Sequence, residues 1–362
     1  MRRMWISLLL LALGVFLVIA AGLSRFYVAD QAVKIPAGQY ARTVAVGHGT
    51  FFDAGSLSEQ QADITAVRNV VPDVPASSRS TDVWQVGLQL KTGDGRLVSA
   101  SIDRVALDRK TADAVNCCGE AVASALDPSG KLKPVRHSGL SYQFPISTKK
   151  QTYQFWDVTP EQALPTRYAS QETVQGLTTY KFVQEIAPMQ IGTTAVPGTL
   201  VGESASTFQS PTWYQNIRTV WVEPRTGVII KGTEQPRTTL RDSAGNDKVI
   251  VLDVALTFDD ATQRSQADLA RKNISKINTI ELWVPIGALV LGLLIGAAGL
   301  VVLRRAAAER AAAPRAALVP AGDAPTEELP SRVAPPADDL GPPEREQPPP
   351  PTTELPRRTP ER

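Results

Sequence analysis

Residues 283–303 read WVPIGALVLGLLIGAAGLVVL, without a charged side chain, and then meet Arg304 and Arg305. As a helix this run is roughly 30 Å long, the thickness of a bilayer's hydrocarbon core. Backbone polar groups in lipid need internal partners, and a helix supplies them. The run therefore predicts a transmembrane helix over 283–303. The start of the chain has the same plan: Arg2 and Arg3 precede an apolar run over 5–23. Two readings of that run stay open, an uncleaved membrane helix and a secretory signal sequence without a clean A-x-A cleavage site.

Arginine clusters favour the cytoplasmic side, and both clusters lie outside the apolar runs. The expected arrangement is a plasma-membrane protein with its N- and C-termini in the cytoplasm. Residues 1–4 form the cytoplasmic N-terminus, 5–23 a membrane helix, and 24–260 a β-rich extracytoplasmic domain. A helical stalk follows over 261–282, the second membrane helix over 283–303, and a proline-rich, disordered cytoplasmic tail over 304–362. The mean hydropathy of −0.10 agrees with a chain that is mostly outside lipid.

The central region alternates with period two, the repeat of a half-buried strand. Residues 83–90 and 97–102 flank Gly93-Asp94-Gly95 as a hairpin, and 219–231 form a second hairpin about Pro224-Arg225-Thr226-Gly227. Strands are also expected over 39–47, 64–71, 176–186 and 249–258, with Pro188 and Pro197 breaking the chain after the 176–186 strand. The aromatic segments 142–145 and 153–157 read as strands flanking a lysine turn. VALDRKTADAV at 105–115 matches VWVEPRTGVII at 220–230, which leaves an internal duplication open beside chance likeness of two hairpins. From Asp259 the period changes: Ala267, Ala270, Ile274 and Ile277 form a helical stripe, with Asp259 or Asp260 as cap. The fold class is thus mainly β (α+β) between two transmembrane helices.

Chemistry is sparse. A net charge of +2 gives no ground for a nucleic-acid partner, and two histidines do not make a histidine-rich metal site. The nucleotide, zinc-protease and serine-hydrolase motifs are missing, so no catalytic, cofactor or metal residue is assigned. Asp103, Asp108, Asp157, Glu185 and Glu223 are unselected carboxylates, of which Asp108 and Glu223 are expected to brace their own turns. His137 falls in a loop without a located partner. Cys117 and Cys118 are adjacent, leaving a vicinal disulfide, free thiols or an intermolecular bridge open. Gly292, Gly296 and Gly299 offer a close helix approach, to the first span or to a second copy. The tail could dock a proline-binding partner or stay solvated.

Several of these pieces resemble the DUF3068 family, also called the porin PorA family, of mycobacteria, corynebacteria and related actinobacteria. They are the two spans, VALDRKTADAVNCCG at 105–119, GLSYQFPISTKKQTYQFWD at 139–157 and TVWVEPRTGVIIKG at 219–232. The resemblance implies an envelope protein and carries no catalytic residues with it. The layout, two spans holding one large β domain, points to a non-enzymatic protein that binds or transfers membrane lipid or scaffolds an envelope partner or a second copy. The alternatives are the porin-like channel of the family name and an enzyme with an unrecognised site.

Overall fold

The computed structural model describes residues 2–123 and 131–312. Helix α1 (Arg2–Leu23) widens into a π-type turn (Ser24–Val28) and ends in α2 (Ala29–Ala32). A long antiparallel meander follows: β1 (Ala41–Asp53), β2 (Ser58–Pro72), β3 (Thr81–Thr92) and β4 (Leu97–Asp108). Short strands β5 (Ala121–Ala123) and β6 (Lys133–Pro134) extend it. A second meander comprises β7 (Tyr153–Asp157), β8 (Gln162–Val174), β9 (Leu177–Val196) and β10 (Phe208–Val222). It is joined to the first by β11 (Ile229–Glu234), β12 (Arg237–Arg241), β13 (Asp247–Val254) and β14 (Leu256–Phe258). Helix α3 (Asp260–Asn278) passes through another π-type turn (Thr279–Trp283) into α4 (Val284–Ala312).

The fourteen strands of the described residues belong to one sheet. Two of its ribbons are bent strands, β11 with β12 and β13 with β14, broken at Pro236 and Ala255. β1 pairs with β13 through Gly49↔Val254 and with β14 through Ala45↔Phe258. Glycine is required where this bend presses on β1: a Cβ on Gly47 would overlap the Ala255 carbonyl oxygen, and one on Gly49 would lie 2.7 Å from Val254 Cα. Single bridges then stitch the outer margins together, Leu107 to Ala114, Asp113 to Leu140 and Leu140 to Phe155. The sheet is consequently curled, and its largest apolar cluster joins residues from both margins: Val105 and Leu107 of β4, Phe155 of β7, Phe182 of β9, and Val220 and Val222 of β10. Edge pairing of this kind leaves few open backbone groups.

Several sequence expectations change in detail. The 249–258 strand is split at Ala255, where the chain moves from one end of β1 to the other. Pro188 sits inside the long β9 rather than ending it, at a position without a partner in the β9–β10 register, as a residue lacking an N–H requires. Residues 142–145 are a loop, with Tyr142 at φ 61°. α3 is helical as expected and capped by Asp259, whose side chain accepts from the Thr262 N–H at 2.7 Å. It does not stand free as a stalk: Ala267 and Ala270 are fully buried against Val228 and Ile230. This burial also takes in Asn273, the asparagine of an N-I-S sequon. α4 runs on through Ala312, so residues 304–312 are helix, while the proline-rich remainder lies outside the described residues.

Among the described residues, two continuous helical stretches, Met4–Ala32 and Asp260–Arg310, are long and apolar enough to cross a bilayer. They touch through glycine. A Cβ on Gly14 would sit 2.8 Å from the Gly292 carbonyl oxygen and 2.8 Å from the Gly296 nitrogen. Gly292 and Gly299 are equally close to α1, whereas a Cβ on Gly296 would meet open space. Gly292 and Gly299 therefore admit α1, and Gly296 only offers its backbone to Gly14.

Candidate functional site

The inner face of β10 is polar where a core strand is ordinarily apolar. Period-two alternation points Ser210, Thr212, Tyr214, Asn216 and Arg218 inward before Val220 and Val222 resume the apolar pattern. Arg218 is the hub. It donates from Nη2 to Asp157 Oδ2 at 2.8 Å, from Nε to Glu234 Oε1 at 3.1 Å and from Nη1 to Gln184 Oε1 at 2.6 Å. Tyr214 adds a 3.2 Å bond to Asp157 Oδ2. A buried charge must be paired and hydrogen-bonded to be tolerated, and here both carboxylates face the guanidinium. Burial alone would raise the Glu234 carboxyl, but Arg218 and Arg68 outweigh it and hold it at about 2. Burial pushes the Tyr214 phenol well up, and the Asp157 charge adds to this.

Arg68 is different. Among the described residues its one side-chain hydrogen bond is a long one, Nη2 to Glu234 Oε1 at 3.5 Å, and its guanidinium lies 5.5 Å from the Tyr142 ring centre. Tyr142 in turn donates to Asp103 Oδ2 at 2.6 Å. Asp103 Oδ1 is 2.8 Å from His137 Nε2, and Glu120 Oε2 is 2.8 Å from His137 Nδ1. The imidazole is thus fully buried between two carboxylates. Burial pulls its pKa down, but Asp103 and Glu120 prevail and the net shift is upward. Glu120 also accepts backbone N–H bonds from Ala106, Asn116 and His137. Two residues before that glutamate ends the Cys117–Cys118 pair, which is joined as a vicinal disulfide, and Arg104 holds the Cys118 carbonyl at 3.1 Å.

Of these groups, Arg68, Tyr142, Asp157, Tyr214, Arg218 and Glu234 border a cavity of about 260 Å³ inside the curled sheet. Its remaining wall is mostly apolar, with Leu88, Leu90, Val98, Leu252, Leu256 and Phe258 contributing. A smaller cavity of about 80 Å³ lies toward the helices, between Ile35, Pro36 and Gln39 of the link after α2 and Gln266, Leu269 and Asn273 of α3. Thr43, Arg68, Tyr142, Ile229 and Phe258 line both. The two spaces therefore share one wall, and Arg68 stands in it.

The carboxylates expected to be unselected separate clearly. Asp108 and Glu223 each bind backbone N–H groups of their own turns: Lys110 and Thr111 donate to Asp108, Arg225 and Thr226 to Glu223. Glu185 is exposed. Asp103 and Asp157 are buried in the polar network. Arg68, Arg218, Glu234 and Glu120 are not singled out by the sequence pattern. The one hint it holds is charge at inward positions of strands, at Arg68 in β2 and Arg218 in β10. Among the described residues no group of three histidine, cysteine or acidic side chains converges as a metal site.

A curled antiparallel sheet with an internal cavity, carried on two apolar helices that pack together, defines the class of protein. The chain belongs to the porin PorA family: the family model described as "Porin PorA" matches residues 6–301. It is similar to a protein named Porin PorA from Corynebacterium resistens, 28% identical across 59% of this chain and 68% of the relative. A Porin PorA from Corynebacterium amycolatum is 25% identical across 60% of this chain and 69% of the relative.

Proposed function

We propose that this is a non-enzymatic membrane protein of the cell envelope whose β domain takes up the apolar part of a lipid. Both helices cross the plasma membrane, with both termini in the cytoplasm and the sheet outside. The observation that carries the reading is the 260 Å³ cavity. It falls just below the roughly 300–1,000 Å³ typical of ligand pockets, and a smaller neighbour of about 80 Å³ lies beside it toward the helices. A volume of this size suits one chain of a lipid rather than two. The test is solvent extraction of the full chain purified in lipid nanodiscs, followed by uptake of a polyene hydrocarbon whose fluorescence rises in apolar surroundings. Saturable uptake, lost when Leu252→Trp fills the cavity, is expected. No saturable uptake by the wild type would end the lipid reading.

A second reading, a channel, is favoured by the name that both relatives carry. The helices argue against a pore within one chain: among the described residues of α1 and α4, Ser7 is the buried polar side chain and it bonds back to the Met4 carbonyl. A channel would be an assembly of several copies, and discrete conductance steps in planar bilayers would establish it.

A further inference from the structure

The cavity wall carries spare hydrogen-bond donors. Arginine has five N–H donors, and Arg68 spends one of them in a long bond to Glu234. That glutamate already serves Arg218 at the shorter distance of 3.1 Å. Trp156 lines the large cavity and Trp84 the small one. Each is 5% exposed, and neither indole N–H has a hydrogen-bond partner among the described residues. Buried donors are ordinarily satisfied, because leaving one unpaired forfeits its hydration without return. Two buried indole N–H groups without a partner, beside an arginine with unspent N–H donors, leave these adjoining cavities suited to an oxygen acceptor from outside the protein. The local charges set the rest: Arg68 and Arg218 are balanced by Glu234 and Asp157, so an acceptor need not bring a full negative charge.

We infer that the cavity recognises an acyl group, with the acyl oxygen held by Arg68 and the Trp156 N–H and the hydrocarbon chain lying toward Leu88, Leu90 and Leu252. The inference rests on the lipid reading above and adds to it the headgroup chemistry, a carboxylate or ester carbonyl. Arg68 is suited to the task by position, since it borders both spaces and meets a chain that arrives from the helix side. Tyr142 is less suited, because its hydroxyl is committed to Asp103.

The test compares three probes on the full chain in nanodiscs: a fluorescent polyene fatty acid, its methyl ester and the parent hydrocarbon. Wild type should bind the acid and the ester about ten-fold or more tightly than the hydrocarbon, the scale of a hydrogen bond to a charged donor. Arg68→Met should erase that preference, and a cooperative thermal melt in nanodiscs checks that the variant is folded. Arg68→Lys should restore part of it, and Trp156→Phe should reduce the preference a few-fold. Tighter binding of the acid than the ester would identify a free fatty acid as the source, and the reverse an esterified lipid; either supports acyl recognition. Equal binding of all three probes by wild type, or an undiminished preference in Arg68→Met, would overturn the inference with the cavity reading intact. Binding of none would remove both.

Discussion

His137 shows how much a single buried side chain can organise. Both its ring nitrogens face carboxylates at 2.8 Å, so the imidazolium form satisfies all three groups together. Removing one partner of a buried ion pair strands the other, at a cost of about 3–5 kcal/mol. His137→Gln should lose stability on that scale in denaturant unfolding. The folded-state pKa is raised above its ordinary 6.5. The contribution of His137 is therefore complete below that value and is lost as pH climbs through the raised one. Thermal melts of the wild type should fall with rising pH more steeply than those of His137→Gln. Glu234 has the opposite sign. Its depressed value of about 2 gives stability that is present above the ordinary glutamate range and lost as pH falls toward 2, so Glu234→Gln should flatten the acid limb. None of this is legible in the sequence, because Asp103 and Glu120 lie 34 and 17 residues from His137 and only the curl of the sheet brings them together. Asp108 and Glu223 are legible because their partners are two or three residues away.

At the level of elements, the two matched segments build the same turn. Asp108 accepts at its carbonyl from the Ala112 N–H as Glu223 does from Gly227, and the fifth residue is left-handed in both, φ 60° at Ala112 and 73° at Gly227. The turns differ in what lies beside them. A Cβ on Gly227 would overlap the Phe144 carbonyl oxygen. Gly227→Ala should therefore cost more than the roughly 1–2 kcal/mol of a left-handed alanine. Ala112→Gly should change stability by less than about 1 kcal/mol, since relief of the backbone offsets the lost methyl. Chemical denaturation of both variants checks the pair. The helix glycines separate in the same way. Gly14→Ala and Gly292→Ala should destabilise by about 1–3 kcal/mol through overpacking, and Gly296→Ala should not, as read by melting in nanodiscs. Spacing alone makes Gly292, Gly296 and Gly299 equivalent; the crossing with α1 distinguishes them.

For the whole molecule, the hairpins of β3 with β4 and of β10 with β11 are readable from local alternation and turn residues. The ring they join is not, since its closure rests on isolated bridges at Leu107, Asp113 and Leu140 that leave no periodic mark. The strands β8 and β12 leave little signal for a related reason: their exposed faces are polar and their inward residues are mixed. The proposed topology predicts that a cysteine placed at Ser56, on the exposed β1–β2 tip, reacts with a membrane-impermeant maleimide added to intact cells. A cysteine at Ala306 should react only after permeabilisation. The vicinal disulfide supplies its own check: the peptide holding Cys117 and Cys118 should be two hydrogens lighter before reduction than after, with no link to a second peptide.

Both long helices widen by one π-type turn, at Ser24–Val28 and Thr279–Trp283, and these turns pack against each other. A π turn holds an extra residue relative to the α-helix around it. The side chains above and below it are consequently out of angular step by about 100°, the rotation of one residue. The pair acts as a matched phase shift: the apolar lengths below can settle by their glycines while α3 above keeps Ala267 and Ala270 on the sheet, and neither seam dictates the rotation of the other.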